Sequence, residues 1–308
     1  MVALVLLVIS AIIGAGFATG AELVAFFGDT GLPPVVIALL IGLSLFAIMA
    51  VLVFFDTKNI RGTKHIFTAI NLATFIVMSA GLRHIAGTFA LVLALAFCVV
   101  VVFFGFSKMV WVNKYLMFFV LGILLFASIT NLSGTSTPQS QPPRVFHGIG
   151  MAIIYAGLNC CILQRVLRQF SGTHSRRKIL FACGFATVLI MVLVTLVLTA
   201  ITRNGVTADM PILELSNNPI TKLAVFLCIL TSMMILLHNV KPSKRGGGFV
   251  CFCAALAFGF SFLGFRNILG GVYPIIGSFM ILYVCYLLLH NFFIVDNSVN
   301  RLEVIGND

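Results

Sequence analysis

Apolar residues in this chain fall at neither the helical nor the strand period; they come as long unbroken runs with short polar punctuation between them. A run of about 20 apolar residues matches a helix that crosses a bilayer. Windows of that size mark ten segments, at about 2–28, 33–55, 64–82, 86–106, 111–131, 145–165, 178–202, 220–240, 248–265 and 268–291. The linker 132–143, rich in Ser, Thr, Gln and Pro, carries the punctuation of an exposed loop. It separates two halves, 1–131 and 144–295, and 296–308 forms a polar tail. An odd number of spans per half inverts the second half relative to the first. The pattern therefore predicts a single all-α polytopic transmembrane domain of ten helices, arranged as a 5+5 inverted repeat.

Composition excludes the soluble alternatives. Of 308 residues, 61% are hydrophobic and 9% charged, against roughly 25% charged in an ordinary soluble domain. The net charge of +11 raises nucleic acid as a partner, but the basic residues lie in short loops, where a topological bias explains them better. With both termini on one side, that side collects 14 of the 19 basic residues, among them Lys58, Lys64, Arg165, Arg168, Arg176, Arg177 and Lys241. The expectation is a multi-pass protein of the cell (plasma) membrane with cytoplasmic termini, whose partners are the lipid bilayer and a small solute. Nucleic acid is not expected to be one. The first Lys or Arg is Lys58, so the N-terminal run reads as a retained helix rather than a signal peptide. The eight cysteines all fall within apolar segments and show no disulfide or metal spacing. No pattern sets an oligomeric state.

Chemistry enters at Ile12-Ile13-Gly14-Ala15-Gly16-Phe17-Ala18-Thr19-Gly20-Ala21-Glu22. Each interior Gly costs a helix about 1 kcal/mol relative to Ala, and irregular backbone at membrane depth survives only where protein or a polar cavity surrounds it. The stretch thus predicts a broken first span. Its exposed N–H and C=O groups could hold an anionic group and a cation together. The competing reading is close helix packing through small residues, as Gly16-xxx-Gly20 allows. In an inverted repeat the sixth span should break too, and Tyr155-Ala156-Gly157-Leu158-Asn159 is the candidate, about 142 residues downstream. The expected solute site is Gly14, Ala15, Gly16 and Phe17 with Tyr155, Ala156, Gly157 and Asn159, joined by Asn71 from span three. Glu22, the one carboxylate clearly within a span, is a functional candidate by position. Six residues past Gly16, it is expected to face an outer vestibule and form a gate with Arg266, with Arg83 as another possible partner. A solvated side chain and a proton-coupling role are its alternatives. Asp209 to Pro219 reads as an external hairpin that could act as a lid.

The run IGAGFATGAEL, the Tyr155–Asn159 element and Gly271-Val272-Tyr273-Pro274-Ile275-Ile276-Gly277 together resemble the YkvI-type membrane proteins. Those are similar to the amino acid–polyamine–organocation superfamily, with its LeuT-type fold and broken helices 1 and 6. The resemblance implies a sodium site between spans one and eight. It would use the carbonyls of Ser10, Ile13 and Cys228 and the hydroxyls of Thr231 and Ser232, an oxygen-only set suited to a hard cation. Thr231 and Ser232 could instead bond carbonyls one turn back. Proton-driven relatives place a Lys from span five in that space, and Lys114 lies too near the helix end to reach it. No catalytic residues emerge, since H-E-x-x-H, G-x-S-x-G and paired intramembrane carboxylates are all missing. The expectation is a secondary transporter of an amino acid or related zwitterion or anion, working by alternating access and sodium-coupled, with no organic cofactor. A solute sensor on the same scaffold and a proton-coupled transporter using Glu22 are the alternatives.

Overall fold

The computed structural model describes residues 1–55, 63–132, 142–206, 210–216, 218–241, 247–263 and 265–305, without the side chains of Ala15, 265–270 and 293–305. Linker residues 133–141, Asp209, the Arg266 side chain and the side chains of the 296–308 tail therefore lie outside the described residues. Among the described residues the fold is helical, without a strand. In order come α1 (Val2–Ile12), α2 (Ala15–Thr19), α3 (Ala21–Phe27), α4 (Pro34–Phe55), α5 (Thr63–Phe103) and α6 (Phe106–Thr130). They are followed by α7 (Val145–Ser171), α8 (Arg176–Asn204), α9 (Pro211–Leu215), α10 (Pro219–Val240), α11 (Gly247–Phe260), a 3₁₀ turn (Ser261–Leu263) and α12 (Phe265–Ile305). Seven helical stretches among the described residues are long and apolar enough to cross a membrane: α4, α5, α6, α7, α8, α10 and Gly271–Phe292 within α12.

Two of the long helices carry internal interruptions with local causes. At 41 residues, α5 is about twice the length a bilayer needs. Gly87 divides it at φ 82° and ψ 175°, a conformation only glycine adopts readily. A Cβ there would meet nothing within 4 Å, so the backbone angle rather than space requires the glycine. In α12, Pro274 lies inside the helix, which continues past it.

The apolar residues sort by depth as a membrane protein requires. Phe146, Phe89 and Phe118 are 91%, 78% and 75% exposed, an outer surface that water would not tolerate and lipid would. Inside, α1 is buried at nine of its 11 residues, and in α10 every residue from Cys228 to Val240 is buried. Helices apolar on all sides belong in a core. Accordingly α1 threads between α6, α7, α8 and α10, while α10 also packs on α5, α4 on α7 and α8, and α12 on α7. The multi-pass character expected from the sequence holds at this level.

One expectation is overturned. The sixth apolar segment does not break: α7 is a continuous 27-residue helix through Tyr155, Gly157 and Asn159. Gly157 serves contact with a neighbour instead, because a Cβ there would stand 2.5 Å from the Gly277 carbonyl oxygen of α12. Asn159 returns its Nδ2 donor to the Tyr155 carbonyl one turn back, at 2.9 Å, which satisfies it along the helix. Six of the eight cysteines are buried, as packing residues would be, while Cys251 and Cys285 are exposed.

Candidate functional site

The first apolar run does break, and the cause is visible bond by bond. Helix α1 ends at Ile12, and Ile13 adopts φ −82° and ψ 76°. These are the angles of an inverse γ-turn. The Gly14 N–H accordingly reaches the Ile12 carbonyl at 2.9 Å instead of the Ser10 carbonyl it would meet in a continuing helix. The turn thereby frees the carbonyls of Ser10 and Ile13 inside the protein, where an unpaired acceptor is costly.

Helix α10 answers both. The Ser232 hydroxyl lies 2.8 Å from the Ser10 carbonyl, 3.1 Å from that of Ile13 and 3.2 Å from that of Cys228. Cys228 donates its thiol to the Ile13 carbonyl at 3.0 Å. Thr231 donates to the Cys228 carbonyl at 2.7 Å, and the Ser10 hydroxyl donates to Asn113 Oδ1 of α6 at 2.8 Å. The five residues expected around a cation are therefore brought together. The self-bonding alternative for Thr231 and Ser232 is also present, since both reach the Cys228 carbonyl. The Ile13 and Cys228 carbonyls each have a second donor, Cys228 and Thr231, while the Ser10 carbonyl is met by Ser232; three carbonyls and two hydroxyls, oxygen groups of the kind a hard cation takes, lie together.

A second break follows. Gly20 adopts φ 80°, the left-handed conformation, and separates α2 from α3. This bend corrects the expected position of Glu22. A straight helix would carry Glu22 about 9 Å outward from Gly16. The bend instead folds its side chain back onto Gly16, where a Cβ would stand 2.1 Å from Glu22 Cγ and 2.3 Å from its carboxyl carbon. Glu22 is 2% exposed. Its carboxyl accepts a hydrogen bond from the Gly16 backbone and faces the Tyr155 hydroxyl. It therefore lines the interior beside the break and no outer vestibule. Arg83 is engaged elsewhere, stacked 3.6 Å over the Phe262 ring and donating to the Ser261 carbonyl at 3.4 Å.

Around Glu22 the walls are aromatic and partly unsatisfied. The hydroxyls of Tyr155 and of Tyr273 on α12 are buried and make no hydrogen bond among the described residues, although both lie in the electrostatic reach of Glu22. Phe26 and Phe27 of α3 meet the Tyr155 ring edge-on, at 5.4 and 5.9 Å between centroids. Gly14, Gly16, Phe17, Ala156 and Asn159 are all buried nearby, and the Ala15 side chain lies outside the described residues. Above the bend, Pro211 and Ile212 of α9 lie 3.4 Å from the position a Gly20 Cβ would take. The expected hairpin thus contacts the break.

Asn71 does not join this group. Its Nδ2 donates to the Phe67 carbonyl at 2.7 Å, and its Oδ1 accepts from Asn239 at 2.9 Å. Met78, seven residues further along α5, is the residue that touches Gly14. Two further residues join the site: Asn113 of α6, which accepts from the Ser10 hydroxyl, and Tyr273 of α12, which the sequence singles out only within the Gly271–Gly277 motif.

No protein-family model matches this chain, and no curated protein matches it.

Proposed function

We propose that this chain is a secondary transporter of a small amino-group-bearing organic solute, an amino acid or related zwitterion, moved by alternating access together with sodium. One observation carries the reading: the turn at Ile13–Gly14 frees two carbonyls in the core, and Ser232 of α10 completes an oxygen cluster around them. Buried helix breaks of this kind mark ion and solute sites in inverted-repeat transporters. Glu22 refines the solute, because a carboxyl beside the break suits an ammonium group better than a second anion. The YkvI-like resemblance, the ten-span 5+5 arrangement with α1–α3 as the first span, and cytoplasmic termini in the plasma membrane belong to the same proposal. The split of α5 at Gly87 into two helical runs supports the ten-span count.

The test is uptake by proteoliposomes holding the purified chain, over a panel of amino acids and amines, with and without an inward sodium gradient. Sodium-dependent accumulation of one class is the expected result. A solute that binds but never accumulates would replace the transporter with a sensor on the same scaffold. The burial of Glu22 favours a proton-coupled version as the second reading. Uptake that follows a pH gradient and ignores sodium would select it.

A further inference from the structure

Two tyrosines stand close to a backbone contact between α7 and α12. A Cβ on Gly157 would lie 2.5 Å from the Gly277 carbonyl oxygen, so the two helices touch without side chains between them. Tyr155 precedes Gly157 by two residues and Tyr273 precedes Gly277 by four, so each ring leaves its helix within about one turn of that contact. Both rings are buried, at 0% and 1% exposure. Neither hydroxyl finds a hydrogen-bond partner among the described residues.

The Glu22 carboxyl, folded back onto Gly16, lies in electrostatic reach of both hydroxyls. What it meets is the Gly16 backbone and the Tyr155 hydroxyl, and no basic side chain among the described residues. Three oxygen groups from α3, α7 and α12 thus face one another in the core without a cation. Buried polar groups left unpaired are costly.

Counting donors narrows what would satisfy them. Each tyrosine can turn its own proton toward Glu22, and its oxygen then still has lone pairs that no group answers. A proton on Glu22 can reach one of those oxygens and leaves the other bare. A primary ammonium carries three N–H donors and a positive charge, one donor for each oxygen group and a counter-charge for the carboxylate. Every methyl group placed on that nitrogen removes a donor, and a trimethylated nitrogen has none. Phe26 and Phe27, edge-on to the Tyr155 ring, offer a methylated nitrogen no substitute hydrogen bond.

We propose that Glu22, Tyr155 and Tyr273 form an ammonium pocket that selects an unmethylated primary amine over its N-methylated counterparts. The two tyrosine hydroxyls are its specificity-determining groups. The inference rests on the reading of the helix break as a solute site, and adds to it which solutes are refused.

The test is a thermal-shift titration of the full chain in a neutral detergent with sodium chloride present. The probes are glycine, alanine, leucine and ethylamine, each set against its N-methyl, N,N-dimethyl and N,N,N-trimethyl counterparts. The variants are Tyr155→Phe and Tyr273→Phe, which keep the ring and remove the oxygen. In the wild type, half-saturation by at least one primary amine is expected to rise with each methyl added, and its trimethylated counterpart is expected to give no stabilisation. Each variant should raise the half-saturating concentration of the primary amine about tenfold and narrow its advantage over the monomethyl form. Without ligand, the variants should melt at or above the wild-type temperature, because a buried hydroxyl with no partner has been removed. If one variant does not fold, the other is read alone. The pocket is overturned if no primary amine stabilises the wild type, if the trimethylated forms bind as tightly as their parents, if the variants keep wild-type selectivity, or if both melt well below the wild type without ligand. Sodium-driven uptake of a solute with no amino group would overturn the pocket and leave the transporter standing. Selective binding of a primary amine that is never accumulated would keep the pocket and remove the transporter.

Discussion

Single atoms separate the glycines of this protein into those that can change and those that cannot. A Cβ on Gly277 would stand 2.2 Å from the Ile154 carbonyl oxygen, and backbone cannot step aside. Gly277→Ala is expected to cost about 1–3 kcal/mol, read as a lower melting temperature and loss of monodisperse protein. A Cβ on Gly14 would instead meet the end of the Met78 side chain, at 2.3 Å. Methionine swings away readily and the Gly14 backbone is extended, so Gly14→Ala is expected to cost below about 1 kcal/mol in the same assay. Ser232→Ala leaves the Ser10 and Ile13 carbonyls short of a donor. It should cost about 1–3 kcal/mol and abolish stabilisation by sodium, whereas Thr231→Ala, which touches only the Cys228 carbonyl, should weaken the sodium response without abolishing it. Equal sodium responses in wild type and Ser232→Ala would remove the oxygen cluster from the mechanism. Glu22→Gln keeps the shape and removes the charge. Solute stabilisation should disappear while sodium stabilisation survives, and intact solute binding with a flattened pH profile of uptake would reassign Glu22 to proton transfer.

At the scale of elements, α9 is the piece that rests on the bend beside the break. Only five residues long, it rests Pro211 and Ile212 against the Gly20 bend. Ile212→Gly should speed the reaction of a Thr19→Cys variant with an aqueous maleimide while the melting temperature changes little; unchanged labelling would make α9 a fixed plug. The sequence made the first break legible because three glycines and a carboxylate within one apolar run are hard to read otherwise. Its partners Ser232 and Cys228 were reachable only through a family resemblance, since nothing in their spacing points at Ser10. The supposed break in α7 failed for a physical reason. A glycine and an amide in mid-helix signal either an interruption or a close neighbour, and the neighbour, Gly277, lies about 120 residues away. The place of Glu22 depends on the left-handed bend at Gly20, which a straight-helix rise from Gly16 does not contain.

The whole molecule has two ends of different character. Lys64, Arg165, Arg168, Arg176 and Arg177 gather where α5 and α8 begin and α7 finishes, while Thr30, Asn131 and Arg144 mark the other end. A cysteine at Thr173 should react with an impermeant maleimide from one side of the membrane only, and one at Asn131 from the other; labelling of both from the same side would undo the topology. At the second of these ends, the Arg144 amide donates to the Thr30 carbonyl at 2.8 Å, and Leu32 fills the space beside Gly148, 2.4 Å from where its Cβ would be. This clasp ties the tip of α3 to the first turn of α7. The broken segment α2–α3 is therefore held at both ends, by the turn at Ile13–Gly14 where it leaves α1 and by α7 where it finishes, with the Gly20 bend as the joint between the two anchors.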